Sequence, residues 1–283
     1  DQLGIKRLYY TITPGAFAFA SLPTALLPVS AVAHRTDSAA LYQYLNFGFV
    51  PTPYSIFRDI RRLAPGHVLV LNKGEAVEKR YWDVTYSERA MRVPEGARAT
   101  YRQVEEAVAL CLRGGPTKEA GAFLSGGTDS STVVGLMGRL SGERVNAFSI
   151  GFQEPRYDEL GYAELAARHF NAAHYTRIIT PGEALEALPR LVEAFDEPFG
   201  NNSAIGTFFC AQLARECGVR RLLAGDGGDE IFGGNERYRT DRIFARYHAI
   251  PGWLRRRLLE PALLSLAAFF FVSTLIEPVF LKP

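Results

Sequence analysis

Several common signals are missing from this 283-residue sequence: an excess of charge of one sign, a paired set of cysteines, a leader and a long apolar run. Lys plus Arg at 32 against Asp plus Glu at 30 leaves almost no net field, so bulk steering toward nucleic acid or an anionic membrane is not indicated. Three cysteines, Cys111, Cys210 and Cys217, are an odd number without metal-type spacing. They exclude a disulfide framework and predict buried thiols in a reducing, cytoplasmic setting. The chain opens on Asp1-Gln2-Leu3-Gly4, with neither a basic-then-apolar leader nor a starting methionine, which predicts no signal peptide and a true N-terminus elsewhere. Residues 262–276, "ALLSLAAFFFVSTLI", fall short of the roughly 20 apolar residues of a spanning helix and predict a buried helix near an early chain end. His34, His67, His169, His174 and His248 form no cluster and are expected in ordinary surface or core roles.

What is present divides the chain. Residues 1–86 read as short β segments: "KRLYYTI" and "AFAFAS" flank a Pro14-Gly15 turn, and "HVLVL" passes through Asn72-Lys73-Gly74 into "AVEKRYW". A helix over about residues 37–46 sits between these hairpins. "SERAMRVPEGARAT" is poor in apolar residues and reads as a linker, which places a domain boundary at 86/87. Beyond it, strands "AGAFL", "VNAFSIGF", "HYTRII" and "RRLLAG" alternate with helical stretches, the pattern of βαβ units and a parallel sheet covered on both faces. In such sheets ligands collect at the carboxyl ends of strands, so the loops directly after strands are where chemistry is sought.

The first such loop is "FLSGGTDSST", residues 123–132. Gly126 and Gly127 let backbone approach an anion, Ser125 and Ser130 can donate to its oxygens, and a helix N-terminus follows. No lysine stands at the helix start, so this is not a Walker loop. Asp129 stands there instead, and an acid beside polyphosphate predicts Mg²⁺ shared by carboxylate and phosphate oxygens. Read alone, the stretch is also compatible with a glycine turn whose Asp129 caps the helix. The second loop, "LLAGDGGDEIFGG" (222–234), fails the dinucleotide fingerprint because Glu230 stands where a third glycine belongs. Its three acids, Asp226, Asp229 and Glu230, either complete a Mg²⁺ shell or poise one acid for catalysis, or form a solvated acidic turn.

Ser125-Gly126-Gly127-Thr128-Asp129-Ser130 resembles the pyrophosphate loop of N-type ATP pyrophosphatases. With "FSIGF" and "GDGGDEIFGG" in the same order, the chain is similar to the synthetase domain of the glutamine-hydrolysing asparagine synthetase family. "DQLGIKRLYY", "FAS" and "YLNFGFVPTPYSIFRDIRRLAPGH" resemble the last part of that family's glutaminase domain. The resemblance implies an α/β fold: a parallel-sheet, adenine nucleotide alpha hydrolase-like synthetase domain over 87–283, expected to be incomplete, preceded over 1–86 by the β-rich end of an Ntn-type glutaminase domain. It further implies ATP-dependent adenylation of a carboxylate, aspartate first, and attack by ammonia derived from glutamine. ATP and Mg²⁺ are the implied cofactors. The implied partners are these small molecules, with a homodimer allowed and no membrane or nucleic-acid partner expected.

Carried over by position, Ser125, Gly126, Gly127, Asp129 and Ser130 hold pyrophosphate, Asp129 and Asp229 bind Mg²⁺, and Leu124, Ile150, Ala224 and Gly225 surround the nucleotide. Asp226 stands where many aspartate-using members have a glutamate tied to adenylate formation. Residues 196–204, "DEPFGNNSA", are expected to face the acceptor. Position 1 is Asp1, with no cysteine before Cys111, so the chain as it stands lacks the family's N-terminal nucleophile and is not expected to hydrolyse glutamine. Leu22 replaces an acid usual in relatives, and Lys282 lacks the context of their adenylate-supporting lysine. Two other readings are an RNA-modifying ATP pyrophosphatase, suggested by Arg237, Arg239, Arg242, Arg246 and 255–257, and an inactive scaffold. The basic residues also fit a solvated helix face, diluted by Glu236 and Asp241.

Overall fold

The computed structural model describes residues 1–29, 35–86, 90–154 and 158–265, side chains of Glu236 and Arg237 excepted. Two compact units divide the chain, Asp1–Ala224 and a second that starts at Gly225.

The first unit opens with a carboxylate nest: both Asp1 oxygens accept from the backbone, Oδ1 from Leu3, Gly4 and Ile5 and Oδ2 from Lys6. Strands β1 (Tyr9–Thr13) and β2 (Ala16–Ala20) pair antiparallel about the expected turn, and β3 (Arg61–Arg62) joins on the other edge in the order β2-β1-β3. Tyr9, Leu26 and Ile60 form their core. Helix α1 (Ser38–Phe47) is one residue from its sequence expectation. The Asp37 side chain accepts from the Ala39 and Ala40 amides at its start, and Gly48, at φ +75°, ends it in the left-handed conformation that glycine adopts cheaply. Strands β4 (His67–Asn72) and β5 (Glu75–Arg80) form the second expected hairpin.

The expected linker is shorter than the sequence suggested. Helix α2 (Val93–Leu112) starts inside it, with Pro94 in its first turn, where proline's missing N–H costs nothing. The parallel sheet then assembles as β8-β7-β6-β9 from β6 (Ala120–Phe123), β7 (Asn146–Phe152), β8 (Ala173–Ile179) and β9 (Arg221–Leu223). Alternation along the strands sends residues to opposite faces. Ala122, Leu124 and Ala147 pack with α3 (Thr128–Ser141) and α4 (Leu160–His169). Phe123 and Phe148 pack with α6 (Ser203–Glu216) on the other face, and α5 (Pro181–Ala194) contributes Ala187 beside Ile179 and Phe209.

Burial corrects the cysteine expectation. Only Cys210 is buried, its thiol pushed up to about 12 by desolvation, while Cys111 and Cys217 are exposed. Cys111 sits on the exposed side of α2 and Cys217 caps the C-terminus of α6, which a helical pattern alone did not distinguish.

The second unit contains α7 (Gly228–Phe232), α8 (Glu236–Ala249) and short helical turns to Leu259. Arg239, Arg242 and Arg246 are exposed on α8, as is Asp241. Tyr247 Oη donates to Glu260 Oε1 at 2.8 Å. Leu263 and Leu264 are exposed, unlike the buried helix expected at 262–276; most of that stretch, with Lys282, lies outside the described residues, as does His34. Among the described residues, no helix is long and apolar enough to cross a membrane.

Helix α5 carries a capping box: Thr180 Oγ1 accepts from the Glu183 amide while Glu183 Oε2 accepts from the Thr180 amide. The Thr180 amide, the Arg177 guanidinium and the Thr180 hydroxyl hold the Glu183 carboxyl down at about 2. A lowered folded-state value means that this stabilisation is present above the ordinary 4.5 and is lost as pH falls toward about 2. Glu183→Gln is therefore expected to lower the urea midpoint at neutral pH, with the difference from the parent shrinking as pH is lowered through that window. A pH-independent difference would show that the carboxylate charge plays no part in the cap.

Candidate active site

The loop 125–127 joins β6 to α3 at the carboxyl edge of the sheet, the edge at which ligands bind in parallel α/β folds. Its shape follows from two glycines with different tasks. Gly126 adopts φ +83°, and a Cβ there would fall within the backbone of Tyr162 and Ala163 at the start of α4. Gly126 is thus glycine because α4 packs on it. Gly127 is the N-cap of α3 and offers no side-chain acceptor, so the first-turn amides of α3 keep the unpaired donors that a helix start always has. Asp129 is a first-turn residue rather than the cap, so the turn-with-cap alternative does not describe this loop.

The two serines brace one another. Ser125 Oγ and Ser130 Oγ lie 3.1 Å apart, and Ser130 Oγ also accepts from the Ser125 amide at 3.2 Å. Ser130 is buried, Asp129 half-buried and Ser125 exposed. Ser125 is therefore the exposed hydroxyl of the pair, and Ser130 Oγ is turned to the Gly127 carbonyl at 3.3 Å.

Behind the loop lies a relay that spans three strands. Ser149 on β7 is buried and donates its hydroxyl proton to the Leu124 carbonyl, and His174 Nε2 on β8 is 2.7 Å from the same Ser149 oxygen. With the serine proton committed to Leu124, His174 must donate from Nε2–H. Burial pushes His174 below its ordinary value, partly opposed by Glu164. The Leu124 amide donates to the Phe148 carbonyl at 2.9 Å. The peptide that leads into the loop is held on its carbonyl side by Ser149 and on its amide side by Ser130. Sequence reasoning missed both relay residues. A serine within the apolar strand "NAFSIGF" was the available signal, because a buried hydroxyl requires a partner.

Leu124, Ser125, Gly126, Gly127, Asp129 and Ser130 thus form one continuous feature. Ile150 lies on neighbouring β7, and Ala224 directly follows β9 on the opposite side of β6. Gly225, Asp226 and Asp229 belong to the second unit. There the Gly228 amide donates to the Gly225 carbonyl at 3.2 Å, Gly227 adopts φ +90°, and the Asp229 carbonyl accepts from Gly233 and Gly234. Asp226, Asp229 and Glu230 are exposed.

Among the described residues, no three His, Cys, Asp or Glu side chains gather as a metal site. The donor set fits a different arrangement. A hard carboxylate such as Asp129 at a helix start is the kind of oxygen donor that a divalent cation takes beside phosphate and water oxygens.

A strand–glycine-loop–helix with hydroxyl donors, an acid and no lysine, on a parallel sheet covered on both faces, defines an α/β protein with a glycine loop at the carboxyl edge of its sheet. The comparisons with known proteins specify it further. A family profile described as asparagine synthase matches residues 99–272, and one described as a glutamine amidotransferase domain matches residues 1–82. The chain belongs to the asparagine synthase family. It is 30% identical over 263 residues to asparagine synthetase (glutamine-hydrolyzing) 1 of Bacillus subtilis, covering 93% of this chain and 41% of that protein. A Methanocaldococcus jannaschii protein that carries the glutamine-hydrolyzing asparagine synthetase name is 34% identical over 244 residues, covering 83% of this chain and 46% of that protein. Amidase chyE of Penicillium rubens is 24% identical over 275 residues, covering 89% of this chain and 39% of that protein. The chain spans less than half the length of these relatives.

Removing the Ser149 hydroxyl would leave the Leu124 carbonyl without its buried donor. Ser149→Ala is expected to lose about 1–3 kcal/mol of stability in urea unfolding. His174→Gln, which retains an N–H donor, is expected to lose less. Equal midpoints for Ser149→Ala and the parent would remove the relay from the account of the loop.

Proposed function

We propose that this chain carries the ATP-using part of an amide-forming ligase of asparagine synthetase type, with residues 1–86 as the end of a glutaminase-like domain and 87–283 as synthetase domain. One observation carries the reading: an uncapped α3 start with paired serines and Asp129 but no lysine. A lysine in the commonest phosphate loop reaches the β- and γ-phosphates of a transferring group. Its absence fits a site that holds β,γ-pyrophosphate as one leaving group while bond breaking occurs at the α-phosphorus.

In the proposed reaction a substrate carboxylate oxygen attacks the α-phosphorus, and the α–β bridging bond breaks with its electron pair departing on pyrophosphate. The acyl carbon is then attacked by ammonia, the nitrogen loses a proton, and AMP leaves with the acyl C–O electron pair. The α3 amides, Ser125 and Ser130 would bind and orient the departing pyrophosphate, donors set in advance where charge develops. Leu124, Ile150, Ala224 and Gly225 would border the nucleotide. Mg²⁺, when bound, would offset pyrophosphate charge, with Asp129 and Asp229 as its protein ligands. Asp226 would act at adenylate formation. It keeps the carboxylate of relatives' glutamate with a reach shorter by one methylene, which leaves room for an acid other than aspartate. Aspartate is the first candidate from the family, and ammonia from glutamine is the nitrogen source that the amidotransferase match supports.

Asp129→Asn and Asp229→Asn are each expected to lower ammonia-dependent amide synthesis from aspartate by about a hundredfold or more. The measurement is amide formed per mole of folded protein at saturating ATP and Mg²⁺. Activity within a few-fold of the parent in both variants would remove these acids from the metal shell. Turnover that requires an added tRNA would replace the ligase reading with base modification.

A further inference from the structure

Between α5 and α6 runs a loop that includes residues 196–202, whose two acids accept hydrogen bonds from the N-terminal part. Glu197 Oε2 accepts from Tyr9 Oη at 2.6 Å, and its Oε1 accepts from the Ile56 amide at 2.8 Å. Arg62 stands 4.0 Å away, and the Glu197 side chain is only 8% exposed. Asp196 Oδ2 accepts from the Thr24 amide at 3.2 Å and from the Thr24 hydroxyl. Three residues further on, the Gly200 amide donates to the Gly48 carbonyl at 2.6 Å, and neither glycine has a side chain to separate the strands of backbone. The loop is therefore fastened to the β-rich N-terminal part at Thr24, Tyr9, Ile56 and Gly48. Within the stretch 196–204, Asp196 and Glu197 are thus engaged by the N-terminal part.

The far end of the loop lies at the carboxyl edge of the sheet. Ile205, Phe208 and Phe209 in the first half of α6 pack with Ile150, Phe152 and Ile179 at the ends of β7 and β8, whereas Leu213 and Ala214 pack lower, with Phe148. Residues 198–202 thus connect the fastened acids to the edge that carries the 125–127 loop. A carboxylate with both oxygens occupied is a rigid anchor, because releasing it would leave the Tyr9 hydroxyl and the Ile56 amide without this acceptor.

We infer that Glu197 is a positioning residue through which the N-terminal part sets the 198–202 loop, so that the acceptor side of the proposed site is formed only while that part is docked. Burial and the Glu197 carboxylate raise the Tyr9 phenol to about 12, so it remains a donor throughout the neutral and mildly alkaline range. The inference rests on the proposed ligase reading for its kinetic consequence and on geometry alone for its structural one.

The test uses the full chain and two readouts. In ATP–pyrophosphate exchange with aspartate, Tyr9→Phe and Glu197→Ala are expected to raise the KM for the acid about tenfold while the KM for ATP stays within about twofold. Glu197→Gln can still accept from Ile56 and can donate to the Tyr9 oxygen, so it is expected to remain within about threefold of the parent. In hydrogen exchange, Tyr9→Phe is expected to speed exchange of peptides spanning 196–205 about tenfold and to leave 123–141 unchanged. Tyr9→Phe deletes one oxygen and keeps the ring, so it carries the test if Glu197→Ala does not fold. Unchanged exchange in 196–205, or acid and ATP KM values that rise together, would overturn the inference. A parent protein with no exchange activity toward any carboxylic acid would overturn the ligase reading instead, with the hydrogen-exchange result still deciding the role of Glu197.

Discussion

The peptide bond between Leu124 and Ser125 is the point on which the site depends. Its carbonyl is held by Ser149 and its amide by Ser130, and the next residue, Gly126, is pressed against the first turn of α4. These constraints come from β7, α3 and α4, the elements that neighbour β6 in a parallel sheet. The loop is therefore a consequence of the fold around it. Preorganisation of this kind is what an anion site at a helix start requires.

A second constraint ties the site to the rest of its unit. The two acids after α5 are claimed by the N-terminal part, so the loop entering α6 has one end fixed on the β-rich layer and the other at the sheet edge. Two parts of the chain that read as separate pieces in sequence meet at a nearly buried carboxylate. Such an arrangement lets a change in one part reach the other through a single rigid loop rather than through a diffuse surface.

Much of the architecture was legible because local signals agreed with one another. Pro14-Gly15 and Asn72-Lys73-Gly74 marked both hairpins, and the alternation of apolar strands with amphipathic helices marked all four parallel strands within a residue or two. The start of α2 was not legible, because Pro94 and Gly96 read as a linker although both are tolerated near a helix start. The exposure of Cys111 and Cys217 was missed because residue type indicates preference for burial and not which helix face is covered. The residues of the 124–130 loop were recognisable as one feature from their own glycine-and-hydroxyl pattern. Ser149, His174 and Glu197 were not, because each acts through a partner at least 25 residues away in sequence, and no local pattern carries that information.

Membership in the asparagine synthase family and the lysine-free loop together direct attention to which phosphorus is attacked. The most direct measurement follows both ends of the triphosphate: the full chain is incubated with Mg²⁺, aspartate, ammonia and ATP labelled separately at the α- and γ-phosphates. The account predicts labelled AMP and pyrophosphate in equal amounts with the amide formed. Labelled ADP with inorganic phosphate, at any amide yield, would contradict it.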